Sequence, residues 1–177
     1  MGNLFPWWRR QSHDDTETIV LILLQVVNEQ GALIGYVLVR DLSQSLSVSE
    51  APYKFPGGHQ KTGETLEEAI IREALEEAGV DLTYFMQTLR ELRWWWEKGH
   101  TKHLFIGTVD TRAAGWLYNP DEGRAHAPPG NEGERAYFIT PHGFQHLLDA
   151  GQVLAGHARA LQEIGLLDHI RQGELIQ

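Results

Sequence analysis

The fold is decided by residues 57–80, GGHQKTGETLEEAIIREALEEAGV. At about 100° per residue, Glu73, Glu76 and Glu77 fall within roughly a third of the circumference of a helix. The adjoining stripe is apolar and comprises Leu66, Ile70, Ala74 and Ala78, with Ile71 and Leu75 widening it. This pattern predicts a helix that packs by one face and carries clustered negative charge on the next.

Both ends of this predicted helix are marked in the sequence. Thr65 followed three residues later by Glu68 is typical of a capping box, and Gly79 stands where a left-handed glycine ends a helix. The preceding residues 55–58, Phe-Pro-Gly-Gly, predict a tight turn in which the backbone comes close to another group. Glu64 is expected on the loop beside the start of the helix.

The clustered charge has a cost that needs an explanation. Glu73 and Glu77 are four residues apart, and like charges at this spacing weaken a helix by a few tenths of a kcal/mol. Arg72 can offset part of the repulsion. Mg²⁺ offsets it better, because it binds carboxylate oxygens and keeps water positions for the phosphates of a substrate. A solvated acidic helix face is the alternative interpretation.

The register of these residues resembles the signature of the Nudix hydrolases of MutT-like type, G-x5-E-x7-R-E-U-x-E-E-x-G-U, where U is a bulky aliphatic residue. The matching positions are Gly58, Glu64, Arg72, Glu73, Glu76, Glu77, Gly79 and Val80. Ala74 departs from the first U position. A match of this length in one register is a specific signal.

The resemblance implies a fold, an activity and a set of roles. The fold is an α/β (α+β) Nudix-type α/β/α sandwich with a mixed central sheet and a catalytic loop–helix–loop. The activity is Mg²⁺-dependent hydrolysis of a nucleoside diphosphate linked to another moiety, a small nucleotide, with Mn²⁺ as a possible substitute. The implied metal ligands are Glu64, Glu73, Glu76, Glu77 and a backbone carbonyl at Gly58 or Gly57, with Arg72 orienting a glutamate.

A general base in this family often comes from a loop outside the signature. Glu132 is the favoured candidate because it lies just before a predicted strand at 135–140, and Glu134 and Glu122 are the alternatives. Each of the three can equally be a solvated loop carboxylate.

Several residues are candidates for substrate binding. Trp94 and Trp96 would share one face of a strand predicted at 88–96, where they would either pack or present a platform to a nucleobase. Residues 112–134 contain four glycines and three prolines, which predicts a long loop that is either a lid or disordered. Trp116 and Tyr118 on this loop are possible base contacts. His157 would approach the base from a predicted helix at 156–167.

The remaining predicted elements complete one domain. Strands are expected at 18–27, 33–40, 53–55 and 103–111, and a further helix at 141–150. Residues 1–15 are interpreted as an irregular arm and residues 16–177 as a single domain.

The composition limits the kinds of partner that this protein can bind. The net charge of -9 argues against a nucleic-acid polymer, and the absence of cysteine excludes a disulfide framework and a thiolate metal site. The N-terminus lacks the apolar region of a secretory signal, and the apolar run at 19–27 is about half the length of a membrane span. We expect a cytoplasmic protein with no membrane partner, and the family resemblance makes a homodimer possible.

Two functions of different classes remain open from the sequence. The first is the pyrophosphohydrolase, and the second is a catalytically silent Nudix-fold domain that binds or senses a nucleotide. The intact glutamates and Arg72 favour the enzyme, because a pure binder has no need for a like-charge cluster on one helical face. The subfamily marks outside the signature are missing, so the substrate is not defined.

Overall fold

The computed structural model describes residues 17–41, 51–118, 120–127 and 134–177. A seven-stranded sheet runs in the order β4-β5-β1-β2-β7-β6, with β3 also pairing with β1. The strands are β1 (Thr18–Val27), β2 (Leu33–Asp41), β3 (Gly57–His59), β4 (Arg90–Glu97), β5 (His100–Val109), β6 (Ala125–His126) and β7 (Glu134–Ile139). The helices are α1 (Leu66–Ala78), α2 (Pro141–Asp149), α3 (Ala155–Glu163) and α4 (Leu167–Gln172).

The strand β1 lies at the centre of the sheet, as its continuous apolar sequence predicts. It pairs in parallel with β5 and antiparallel with β2 and β3, so the sheet is mixed. Alternate β1 side chains enter two separate cores. Val20, Ile22 and Leu24 pack with α1 on one face, while Leu21 and Leu23 pack with the C-terminal helices on the other. The α/β/α sandwich is therefore confirmed.

The hairpin between β4 and β5 is tighter than predicted. The sequence suggested a connection over residues 98–102, but β5 already begins at His100. Lys98 and Gly99 both have positive φ angles, 52° and 85°. A two-residue loop with left-handed conformations at both positions matches the twist of paired strands, and this allows the strands to pair up to the turn.

Three other predictions differ from the structure. The glycines expected in a tight turn at 55–58 instead begin β3, because Gly57 and Gly58 pair with β1. The helix expected at 156–167 is interrupted by a turn at Gly165 (φ 74°). The structure has α3 before this turn and α4 after it, and α4 was not predicted. In the segment 112–134, short 3₁₀ helices at Thr111–Ala113 and Gly115–Tyr118 bury Ala113 and Leu117.

Some predictions fall outside the described residues, namely those on the arm at 1–15 and on Glu132. Among the helices that the structure describes, none combines the length and the apolar character needed to cross a membrane.

The side chain of Gln25 links the central strand to the far end of the described chain. It is fully buried, its Nε2 donates to the carbonyl of Ile176 at 3.0 Å, and its Oε1 accepts from the backbone N–H of Ile176 at 2.9 Å. The same Nε2 also donates to Thr108 Oγ1 at 3.2 Å. The amide in the core therefore has partners for both its donor and its acceptor.

Candidate active site

Both ends of α1 are held as the sequence predicts. The Thr65 hydroxyl accepts from the backbone N–H of Glu68 at 3.1 Å, and the Glu68 carboxylate accepts from the N–H of Thr65 at 2.8 Å. Gly79 ends the helix in the left-handed conformation with φ 64°. Caps of this kind stabilise a helix by about 1 kcal/mol, and they hold the glutamates of α1 in a fixed register relative to β3.

Arg72 binds three glutamates of the signature. Its guanidinium donates to Glu64 through Nε at 2.7 Å and Nη2 at 3.0 Å, and through Nη1 to Glu73 at 2.6 Å and Glu76 at 3.0 Å. Nη2 also donates to the backbone carbonyl of His59 at 2.9 Å. The hydrogen bonds from Arg72 hold the pKa of the Glu64 carboxyl at about 2, well below its ordinary value. One planar cation therefore orients three carboxylates.

Glu77 is held from the other side by a lysine and a backbone amide. Its Oε1 accepts from Lys54 Nζ at 2.9 Å, and its Oε2 accepts from the N–H of Gly57 at 2.8 Å. Burial raises the pKa of the Glu77 carboxyl, Lys54 opposes that shift, and the charge of Glu134 adds to it. Lys54 was not predicted, because it lies 23 positions before Glu77 and has no place in the signature.

Glu73 lies against the glycines of β3. A Cβ atom on Gly58 would stand 2.6 Å from Glu73 Oε1, so only glycine leaves room for this carboxylate. Glu73 and Glu77 are both 8% exposed, whereas the predicted apolar residue Leu75 is 50% exposed. The prediction that Leu75 widens the packing stripe was wrong, because α1 turns Glu73 and Glu77 toward β3 and leaves Leu75 facing solvent.

These residues form a set that fits a hard divalent cation. Arg72 Nη1 bonds to both Glu73 and Glu76, and Glu73 and Glu77 both lie against the glycines of β3. All three glutamates offer carboxylate oxygens, the ligand atoms that Mg²⁺ prefers. Arg72 and Lys54 supply positive charge that compensates these carboxylates. The roles of individual residues stay predictions.

A comparison with known protein families shows to which family the chain belongs. The model of the NUDIX domain matches residues 16–157. The chain belongs to the Nudix hydrolase family. This membership supports hydrolysis of a diphosphate bond in a small nucleotide as the general activity. No curated protein sequence matches the chain at a significant level.

Solved structures agree on the Nudix fold. A mutT/nudix family protein from Listeria innocua superposes with a TM-score of 0.56 at 15% identity, over 83% of this chain and 90% of that one. A NUDIX hydrolase from Nitrosomonas europaea gives a TM-score of 0.53 at 16% identity, over 84% and 87%. A protein from Deinococcus radiodurans gives 0.52 at 21% identity, over 84% and 82%.

The candidate general bases of this Nudix hydrolase occupy different places. Glu134 opens β7 and acts electrostatically on Glu77, so it belongs to the neighbourhood of the glutamate cluster. Glu122 forms a β-bridge with Phe138, which lies four residues, or roughly 13 Å, after Glu134 along β7. There its Oε1 accepts hydrogen bonds from the backbone N–H and hydroxyl of Thr140. Glu132 lies outside the described residues.

The predicted substrate contacts also differ in their surroundings. Trp94 and Trp96 share one face of the edge strand β4 and are 64% and 65% exposed. Trp116 packs against the core below α1, where its Nε1 donates to the carbonyl of Ala78 at 3.3 Å, and Tyr118 is exposed. Substrate binding by these four residues stays a prediction, and Trp94 and Trp96 are the pair with an uncovered aromatic surface.

His157, the last predicted substrate contact, is a buried part of the packing. It is 4% exposed, its ring stacks on Phe55, and its Nδ1 accepts from the Phe55 N–H at 2.9 Å. Burial, followed by the positive charges of Lys102 and Lys54, lowers the pKa of His157 to about 3. Contact with a substrate stays untested, and it would require the ring to be uncovered.

We expect His157 to make folding sensitive to acid. The folded state keeps this imidazole neutral, whereas in the unfolded state it binds a proton below its ordinary pKa of about 6.5. Its contribution to stability is therefore present above about pH 6.5 and falls by about 1.4 kcal/mol per pH unit toward pH 3. His157→Asn keeps an acceptor for Phe55 but does not titrate.

Urea unfolding of both proteins at about pH 7.5 and about pH 5 measures this contribution. The free energy of unfolding of the wild type should fall by about 2 kcal/mol more than that of His157→Asn. Equal falls in the two proteins would show that His157 is protonated in the folded state.

Proposed function

We propose that this Nudix hydrolase is a Mg²⁺-dependent pyrophosphohydrolase that cleaves a small nucleotide of the form nucleoside diphosphate linked to another moiety. The observation that carries the proposal is the anchoring of four glutamates around the β3–α1 junction. Arg72 orients Glu64, Glu73 and Glu76, while Gly57 and Lys54 hold Glu77 from the opposite side. A helix face evolved only for solubility has no need of such anchoring.

The proposed ligands of Mg²⁺ are Glu73, Glu76 and Glu77, with Glu64 and the carbonyl of Gly57 or Gly58 completing the set. Mn²⁺ prefers similar oxygen donors and is expected to substitute. When bound, the metal neutralises charge on the diphosphate and lowers the pKa of a water.

The chain itself supplies orientation and charge compensation. Arg72 keeps the carboxylates apart and aligned, which lowers the cost of bringing like charges together before a cation arrives. Lys54 Nζ bonds to Glu77, so this ammonium lies beside a proposed metal ligand. Trp94 and Trp96 offer exposed aromatic faces on which a nucleobase can stack.

We expect a comparison of kcat among three Glu→Gln variants, at the predicted positions, to identify the general base. Glu132→Gln should lower kcat by about 10²-fold or more if Glu132 is the base or a ligand. Glu134→Gln should do so instead if the glutamate beside Glu77 has that role. Glu122→Gln, the third candidate, should leave kcat near that of the wild type, because Glu122 bonds to Thr140 at the other end of β7. Steady-state rates at saturating substrate decide between them, and equal rates in all three variants would remove the role from this group.

The proposed function is tested by Mg²⁺-dependent phosphate release from a panel of nucleoside triphosphates, nucleotide sugars, ADP-ribose, NADH and dinucleoside polyphosphates. Coupled phosphatase detects the products, and the Glu77→Gln protein serves as blank. Activity on one class that is lost in the blank supports the enzyme and defines its substrate. Tight nucleotide binding without turnover, with either Mg²⁺ or Mn²⁺, would instead support the silent binding domain, in which the Lys54–Glu77 ion pair replaces a metal.

Three broader expectations accompany this function. Cytoplasmic location, a homodimer and the absence of nucleic-acid polymers or membranes as partners all stay predictions from the sequence. Fractionation of the native cells and size-exclusion chromatography with light scattering measure the first two.

A further inference from the structure

A second group of potential metal ligands lies at the ends of three adjacent strands. Glu17 directly precedes β1, His59 ends β3 and His100 begins β5. Backbone pairing sets their positions, because Ile19 pairs with His59 and the N–H of Thr101 donates to the carbonyl of Glu17 at 3.2 Å. The three side chains are distinct from the glutamates of α1, and no step of the proposed hydrolysis uses them.

The donor atoms of this group have the spacing of ligands to one ion. Glu17 Oε2 lies 3.1 Å from His59 Nε2 and 3.5 Å from His100 Nδ1. Two ligands that bind tetrahedral Zn²⁺ at 2.0–2.1 Å stand about 3.3 Å apart, which is close to both distances. All three donor atoms lie within 4.8 Å of one another, so side-chain rotations can bring them to a common centre.

His100 adds an observation that hydrogen bonding within the group does not explain. Its Nδ1 atom is buried and makes no hydrogen bond to the described residues, although it faces the Glu17 carboxylate at 3.5 Å. In the neutral tautomer that carries its proton on Nε2, this nitrogen has a lone pair available to a cation. His59 and Glu17 are 58% and 63% exposed at their side chains, so an ion can reach the group from solvent.

We propose that Glu17, His59 and His100 form a transition-metal site that takes Zn²⁺. Two imidazoles and one carboxylate form a ligand set suited to Zn²⁺, whereas Mg²⁺ favours oxygen donors alone. The ion would join β1, β3 and β5 at one edge and leave a coordination position for water. The side chains of this site are separate from those of the proposed catalytic metal, although His59 follows Gly58 directly in β3 and its carbonyl accepts a hydrogen bond from Arg72.

Isothermal titration of the tag-free protein with Zn²⁺, in excess Mg²⁺, tests the site. The titration uses the wild type and the Glu77→Gln protein. Zn²⁺ that binds to the α1 glutamates should be lost in Glu77→Gln, whereas Zn²⁺ at the proposed site should not. We expect a Zn²⁺ event that is present in both proteins and at least about 10-fold weaker in His100→Gln and Glu17→Gln. Thermal melting should show a Zn²⁺-dependent rise that these two variants lose.

His169→Gln is the matched control. His169 Nδ1 pairs with Glu174 at 3.1 Å, which gives a surface histidine–glutamate pair in which the described residues supply no second imidazole. This control should bind Zn²⁺ like the wild type. Loss of the event in Glu77→Gln, an unchanged affinity in His100→Gln, or the lack of a Zn²⁺ event in the wild type would each overturn the proposal. Failure of the substrate panel would leave it intact, because no turnover is measured.

Discussion

Glu77→Gln is expected to abolish turnover, lowering kcat by at least about 10³-fold, while the fold stays intact. A metal that stabilises transition-state charge contributes several kcal/mol, and each 1.4 kcal/mol corresponds to a tenfold change in rate. Glu77 is a proposed ligand that both Lys54 and the N–H of Gly57 hold in place. Glutamine fills the same space and keeps one oxygen acceptor, but it removes the charge.

The stability of this variant separates a catalytic role from a structural one. Burial raises the pKa of the Glu77 carboxyl, which means that the folded state bears a cost for keeping this group charged. Without metal, Glu77→Gln should therefore melt at or above the temperature of the wild type. With Mg²⁺, the wild type should be stabilised and the variant should not. A variant that retains most of its activity, or that melts lower without metal, would contradict the assignment.

Gly57→Ala is expected to damage both stability and activity. Gly57 has φ 154°, and a Cβ atom at this position would clash with the carbonyl oxygen of Val20 and approach the Cα of Leu21 to 2.8 Å. Both atoms belong to the backbone of the central strand, which cannot give way. We expect a loss of about 2–4 kcal/mol in the free energy of unfolding, and a displaced N–H that no longer holds Glu77.

Gly31→Ala is the control that isolates the backbone angle. Gly31 also has a positive φ, 77°, but a Cβ atom there would meet no other atom within 4 Å. Its substitution should cost only about 1–2 kcal/mol and leave kcat unchanged. Urea unfolding and kcat measured below both melting temperatures give the comparison. Equal losses in the two variants would show that β3 moves away from β1 without penalty.

The elements that were predicted correctly are those that nearby residues in the sequence specify. The apolar run of β1 and the capping box of α1 act within a few residues, and both elements appear where the sequence places them. The signature register likewise names Arg72 and its glutamates, because helical spacing alone brings them to one face.

The features that were missed depend on pairing between distant strands. Lys54 reaches Glu77 because Lys54 pairs with Val39 beside the cluster, and no local pattern reveals this. Glu17 and His100 meet only through the parallel register of β1 and β5. The exposure of Leu75 was missed for a related reason, since hydrophobicity does not show that α1 directs Glu73 and Glu77 inward. The break at Gly165 had a visible cause, a glycine in the left-handed conformation, which the prediction of one continuous helix ignored.

The double hydrogen bond between Gln25 and Ile176 has a consequence for proteolysis. The two partners are 151 residues apart in the sequence. A chain cut before Ile176 would keep the bond from Gln25 Nε2 to Thr108 Oγ1, but Gln25 Oε1 would lose the N–H that it accepts from. A buried polar group without a partner costs about 1–3 kcal/mol, so removal of Ile176 is expected to weaken the centre of the sheet even though Ile176 belongs to none of the described strands.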